Sequence, residues 1–164
     1  MCSLNNQKFN RYLEEEFNPA QEFAHSAEGE RFIRNMIPSL DVLRSKEDEV
    51  LAAAYIIKIN GHVVYIGQSL RAVKRLFTHA HNIFRDSFTY FGIYLSEIES
   101  IEMEIATPPI LDEKKRLACE ESLVRSLDPV LEPYYKIPGM RYDTCLPRGQ
   151  ARRDAMIKAG VIKA

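Results

Sequence analysis

Two apolar runs, residues 52–59 and 62–67, flank an Asn60-Gly61 pair. Asn-Gly between segments rich in Val and Ile is the strongest short-range signal for a β-hairpin, because both turn residues must take positive φ. Such a hairpin places Tyr55 and Tyr65 on neighbouring strands. Ser69 stands where it can cap a helix, and the spacing behind it predicts that helix over roughly 70–82. Arg75 and His79, four residues apart, then project from one helix face. Two phenols, a guanidinium and an imidazole converging beside Gly67 form a set suited to handling a phosphate.

The remainder of the chain sets the frame around this hairpin. Its 164 residues suit one domain of ordinary size, large enough to bury about two thirds of its unfolded surface without staples. No apolar run approaches the roughly 20 residues needed to span a bilayer, and the first residues, Met1 to Lys8, lack the apolar stretch of a secretory signal. Cys2, Cys119 and Cys145 are too widely spaced for a disulfide framework or a zinc pattern. A reducing, cytoplasmic setting is expected, with no membrane association.

A net charge of −1 argues against a non-specific nucleic-acid coat protein, but the charge is unevenly spread. The first fifty residues lean acidic, through Glu14-Glu15-Glu16 and Glu47-Asp48-Glu49. The last thirty lean basic: Lys136, Arg141, Arg148, Arg152, Arg153, Lys158 and Lys163 stand against Asp143 and Asp154. This asymmetry predicts an anion-facing C-terminal end, with Arg148, Arg152, Arg153 and Lys158 as candidate contacts to DNA phosphates. A solvated surface helix explains the tail's charge equally well.

Residues 1–50 read as a helical extension, with Phe17, Phe23, Phe32, Ile33, Met36, Ile37, Leu40 and Leu43 at three-to-four-residue intervals and Pro19 and Pro38 as interruptions. The aromatic stretch from Phe84 to Leu95 reads as a short strand or inserted loop. Ile101, Met103 and Ile105 alternate with Glu102 and Glu104, the pattern of a half-buried strand. A later helix is expected to start at Asp112 and stop at Asp128-Pro129. The fold class that follows is α+β: a small mixed sheet in a β-β-α-β-α core, flanked by helices. The expected divisions are 1–50 for the extension, 51–132 for the core and 133–164 for the basic tail.

Over roughly 52–132 the chain resembles the nuclease core of the GIY-YIG endonuclease superfamily. Tyr65-Ile66-Gly67 matches the second signature as it stands, whereas the first is reduced to Ala53-Ala54-Tyr55, keeping only its tyrosine. A literal Gly92-Ile93-Tyr94 follows the second signature instead of preceding it and reads as a coincidental strand. Arg75, within Lys74-Arg75-Leu76, occupies the position of the family's catalytic arginine. His79 matches a histidine found in some members, restriction enzymes among them. Glu120, nine residues before Pro129, stands in the place of the metal-binding glutamate, and Glu121 points about 100° away around the helix. Val130-Leu131-Glu132 stands where relatives often carry an asparagine.

The resemblance implies a divalent-metal-dependent endonuclease acting on double-stranded DNA. One Mg²⁺ (or Mn²⁺) ion would sit on Glu120, and Arg75 would bind the scissile phosphate with Lys74 and Gly67 beside it. Tyr65 would contact the phosphate or a nearby water. Tyr55, with His79, would orient or deprotonate the attacking water, which requires help because a phenol with a pKa near 10 is a poor base at neutral pH. The length suits a compact restriction enzyme or a phage or mobile-element nuclease, and restriction enzymes of this superfamily often act as homodimers. The alternative is a catalytically weak nucleic-acid-binding module that retains the fold; a third reading keeps the chemistry with RNA as substrate. Taken singly, each residue has a plainer role as a strand aromatic, a helix surface charge or a solvated acid. Their joint order carries the nuclease reading.

Overall fold

A computed structural model describes residues 26–131 and 145–164, together with Glu14. The helical periodicity expected around Phe17, Pro19 and Phe23, and the basic residues Lys136 and Arg141 with the division at 132/133, lie outside the described residues.

The hairpin forms as its turn dictates. Strand β1 (Ala53–Ile59) and strand β2 (His62–Ser69) pair antiparallel across Asn60 and Gly61, whose φ values are 51° and 79°. Only residues tolerant of the left-handed region can occupy both positions. Asn60 does more than turn the chain. Its side-chain amide donates to the carbonyls of Glu97 (2.9 Å) and Val161 (3.1 Å), and its Oδ1 accepts from the backbone N–H groups of Glu99 (2.7 Å) and Ser100 (3.2 Å). The hairpin tip is thereby tied to the approach to the third strand and to the C-terminus.

That third strand, β3 (Ile101–Ile105), pairs with β1 on its other side, giving the order β2-β1-β3. The structure shows the α+β class and the small sheet flanked by helices, with one change: the pairing is antiparallel throughout rather than mixed. β2 and β3 run in the same direction, but β1 lies between them, so no parallel pair forms. As the central strand, β1 is buried along nearly its whole length.

Helix α1 (Ala27–Met36) and helix α2 (Pro38–Leu43) precede the sheet. Helix α3 (Ala72–Phe91) follows β2 and corrects two expectations. Its N-cap is Arg71, and Ser69 Oγ accepts the Arg71 N–H (3.1 Å) two residues too early to cap the helix itself. The helix also continues far beyond residue 82, through the aromatic stretch expected as strand or loop, with a break in helical geometry at Asp86. Phe84 precedes that break and Phe88 and Phe91 follow it, and all three are buried. The helix ends at Gly92, which takes φ 70° and donates its N–H to the Phe88 carbonyl (2.8 Å). Gly92-Ile93-Tyr94 is therefore a helix stop and not a strand.

Helix α4 (Glu113–Leu127) begins and ends where expected. Asp112 Oδ1 accepts the Lys115 N–H (3.1 Å), and Asp128 closes the helix at φ 47° ahead of Pro129.

Helix α5 (Cys145–Lys158) lies against the end of α3. A Cβ at Gly92 would run into the backbone of Arg152 and Arg153, and one at Gly149 into the Phe88 ring, so two glycines permit this close approach. Ile37, the N-cap of α2, and Leu40 within it share one hydrophobic core with Ile57, Ile59, Leu76 and Met103, and with Met156, Val161 and Ile162 from the C-terminal segment. No helix among the described residues is long and apolar enough to cross a membrane.

Candidate active site

The hairpin, α3, α4 and α5 together enclose a cavity of about 540 Å³. Tyr55 reaches it from β1, Tyr65 and Gly67 from β2, Arg75 and His79 from α3, and Glu120 from α4. Arg148 and Arg152 enter from α5. The five residues singled out for catalysis thus line one space, although they come from four separate elements. Glu121 does not line it. It is exposed and paired with Arg125 one helical turn away (3.1 Å), which fixes the helix phase in favour of Glu120.

Three of the other expected phosphate contacts stand apart from the cavity. Lys74 and Lys158 are exposed and are not among the residues lining the cavity. Arg153 is only 5% exposed. Its two terminal nitrogens grip the Glu97 carboxylate at 2.7 and 2.9 Å, and its guanidinium lies 4.4 Å from the centre of the Tyr94 ring. A guanidinium so engaged holds α5 to the fold and is not presented to DNA. The basic composition of the tail could not distinguish this arginine from its neighbours. Tyr94 is stacked on Phe88 on this same side, outside the cavity lining.

At the cavity wall the two tyrosines and the imidazole form a compact aromatic triangle. The ring centres lie 6.3 Å apart for Tyr55 and Tyr65, 5.5 Å for Tyr55 and His79, and 5.1 Å for Tyr65 and His79. Tyr55 Oη and His79 Nε2 are in hydrogen-bond contact at 3.0 Å. Burial pushes the Tyr55 phenol far above its ordinary value; Tyr65 and Glu120 add to the rise, and the positive charge of Arg75 opposes it. Burial also lowers His79, to about 4, with the charges of Arg75 and Arg152 adding to the effect. At neutral pH the pair is therefore a neutral phenol beside a neutral imidazole, and the imidazole tautomer sets which of the two donates.

Gly67 owes its place to Tyr55. The two residues are cross-strand partners, and a Cβ on Gly67 would run into the Tyr55 hydroxyl and ring. Backbone φ imposes no glycine here, so the requirement is for space. Gly67→Ala is expected to displace the phenol from His79 at a cost of about 1–3 kcal/mol in stability. Chemical denaturation, with the imidazole resonances of His79 as a local probe, would check this. An unshifted His79 spectrum would place the Tyr55 ring elsewhere.

The depressed His79 pKa has a consequence for stability. Between its ordinary value of 6.5 and its folded value of about 4, the unfolded chain binds a proton that the folded chain does not. The stabilisation linked to neutral His79 is fully present above pH 6.5 and is lost as pH falls towards 4, at up to about 1.4 kcal/mol per pH unit. Urea midpoints at pH 7 and pH 5 should therefore differ more for wild type than for His79→Gln. Equal differences would mean that His79 protonates as readily folded as unfolded.

No protein-family model, curated protein or solved structure matches the chain.

Among the described residues, no group of three or more His, Cys, Asp and Glu side chains forms a metal cage. The carboxylate among the described lining residues is that of Glu120, a hard oxygen ligand. This fits Mg²⁺ or Mn²⁺, which are commonly held by one or two carboxylates and completed by water and substrate phosphate oxygens. It does not fit a closed structural zinc site.

Arg116 escaped the sequence reading. It is 5% exposed, and it donates to Gln68 Oε1 (2.8 Å) and to the carbonyls of Ile110 (3.1 Å) and Leu111 (3.0 Å). It thereby anchors the first turns of α4 to the end of β2, one turn ahead of Glu120. Its spacing of four from Glu120 was the available signal.

Proposed function

We propose that the protein is a divalent-metal-dependent endonuclease of the GIY-YIG type that hydrolyses phosphodiester bonds in DNA. The observation that carries this reading is the convergence of Tyr55, Tyr65, Arg75, His79 and Glu120 on one cavity. Phosphodiester hydrolysis needs a positioned water, neutralisation of charge on the phosphorus centre, and help for the departing oxygen. Each need has a candidate group here.

Arg75 binds the phosphate and stabilises the negative charge that grows on its oxygens. Tyr65 supplies a hydroxyl beside the same group. A Mg²⁺ or Mn²⁺ ion held by Glu120 supplies, when bound, Lewis-acid stabilisation of the phosphate and its leaving oxygen. Tyr55 acts as a relay: its oxygen takes a proton from the attacking water while its own proton passes to His79 Nε2. The resulting hydroxide forms the new P–O bond, and the 3′ oxygen departs with the bonding pair as the old bond breaks and takes a proton from solvent, leaving a 3′-hydroxyl and a 5′-phosphate. This relay overcomes the difficulty of a phenol whose own deprotonation is suppressed by burial. It also gives the low basicity of His79 a natural remedy. Arg75 and Arg152 are two of the causes of that low value, and a phosphate entering beside them offsets their charge and makes the imidazole a better proton acceptor.

The test is cleavage of supercoiled duplex DNA, single-stranded DNA and RNA with Mg²⁺ or Mn²⁺ and with chelator. Nicking of the duplex is expected with metal and none with chelator. Tyr55→Phe should lower the rate at least ~100-fold, the range for a group that moves a proton in the transition state. Tyr94→Phe keeps the Phe88 stacking and should retain nearly full activity. Equal losses in the two variants would put proton transfer elsewhere, and a wild type that cuts nothing under any divalent metal would be a binding module.

A further inference from the structure

We propose that Arg148 and Arg152 form a second phosphate subsite within the same cavity, so that the preferred substrate is a nucleotide unit carrying a phosphate next to the scissile one. The inference rests on the phosphodiesterase reading of the cavity and adds the substrate feature that reading leaves open. From sequence these arginines were candidates for a DNA-contacting tail. Their location inside the cavity makes them neighbours of the reacting group instead.

Both side chains rise from α5 four residues apart, on one face. Their base is rigid. Arg153 grips Glu97 through two hydrogen bonds, and the helix backbone packs directly against Gly92. Arg152 is 9% exposed and donates to the backbone carbonyls of Thr89, at 3.1 Å, and Tyr90. Its guanidinium is therefore set in place before any ligand arrives, which spares the ordering cost that a flexible surface arginine would meet. Its charge reaches the imidazole of His79, as does that of Arg75. The two arginine sources thus flank the same catalytic pair from α3 and from α5.

The charges of the lining residues point the same way. Among the described residues, three guanidinium groups (Arg75, Arg148, Arg152) and one carboxylate (Glu120) border the cavity. A single phosphodiester carries one negative charge, which Arg75 alone can match. A flanking phosphate would meet the α5 pair while the scissile one meets Arg75, and planar guanidinium groups suit phosphate oxygens through paired hydrogen bonds. The volume, about 540 Å³, lies within the range that holds small organic ligands.

The test compares two ligands that differ by one phosphate: thymidine 5′-monophosphate and thymidine 3′,5′-bisphosphate. Binding of each is measured by calorimetry to the full chain with Mg²⁺ present. Wild type should bind the bisphosphate at least ~10-fold more tightly. In Arg148→Gln the two affinities should come within about threefold, and Arg148→Lys, which restores the charge without the fork, should fall between. Thermal melting of each variant confirms that it is folded, and the wild-type ratio tests the subsite without any substitution. Equal affinities in wild type, or a full preference surviving in folded Arg148→Gln, would overturn the proposal. A protein that cuts DNA but shows no preference keeps its nuclease function and loses this subsite. A protein that prefers the bisphosphate yet cuts no nucleic acid keeps the subsite and loses the nuclease function.

Discussion

Glu120→Gln is expected to fold like wild type and to cleave DNA at least ~1,000-fold more slowly, a barrier increase of about 4 kcal/mol. The substitution keeps the size and shape of the side chain but removes its charge, and a neutral carboxamide is a poor ligand for Mg²⁺. The direction of the effect separates a metal role from a purely electrostatic one. Glu120 is among the groups that raise the Tyr55 pKa, so without a metal role its neutralisation would make the phenol easier to deprotonate and would leave the rate unchanged or slightly faster. A large loss therefore requires the carboxylate to act on something other than Tyr55. Glu121→Gln serves as the companion. Its carboxylate is exposed and meets only Arg125 among the ion pairs seen, and such surface pairs contribute about 0–1 kcal/mol. Rates for both variants would be taken at saturating DNA over a Mg²⁺ titration. The opposite ranking, with Glu121→Gln inactive and Glu120→Gln active, would mean that the functional face of α4 is the one turned away from the cavity.

What could be read from the sequence was governed by local chemistry. The hairpin was legible because Asn60-Gly61 leaves few other backbone solutions, and α4 because Asp112 and Asp128-Pro129 punctuate it. Tyr55, Tyr65, Arg75, His79 and Glu120 meet at one cavity because each sits on an element whose facing is set by its period. The misreadings came from contacts between distant parts of the chain. The stretch from Phe84 to Phe91 looks like a strand by composition, yet it is helical on both sides of the break at Asp86 and buries all three phenylalanines once a core exists for them. Gly92-Ile93-Tyr94 copies a signature, but Gly92 serves a helix end and the approach of α5, a partner some sixty residues later. Arg153 looked like Arg152 and Arg148 because nothing near it in sequence announces Glu97, its ion-pair partner. A count of basic residues cannot tell a buried clamp from an anion site.

Arg75 bears on the central claim, that this cavity performs phosphodiester hydrolysis, more directly than any other residue. In the proposed reaction its guanidinium would meet a phosphate whose negative charge increases as water attacks, so its interaction would be stronger in the transition state than in the ground state. Loss of such a group falls mainly on the chemical step. Arg75 is exposed on α3 and lines the cavity, so truncation to alanine removes the charge without opening the core. The decisive measurement is binding and single-turnover cleavage of one DNA duplex, with Mg²⁺ present, by wild type and Arg75→Ala side by side. The expected result is binding within about tenfold of wild type and cleavage slowed at least ~1,000-fold. The contradictory result is a wild type that leaves the duplex intact, with Arg75→Ala differing from it only in weaker binding.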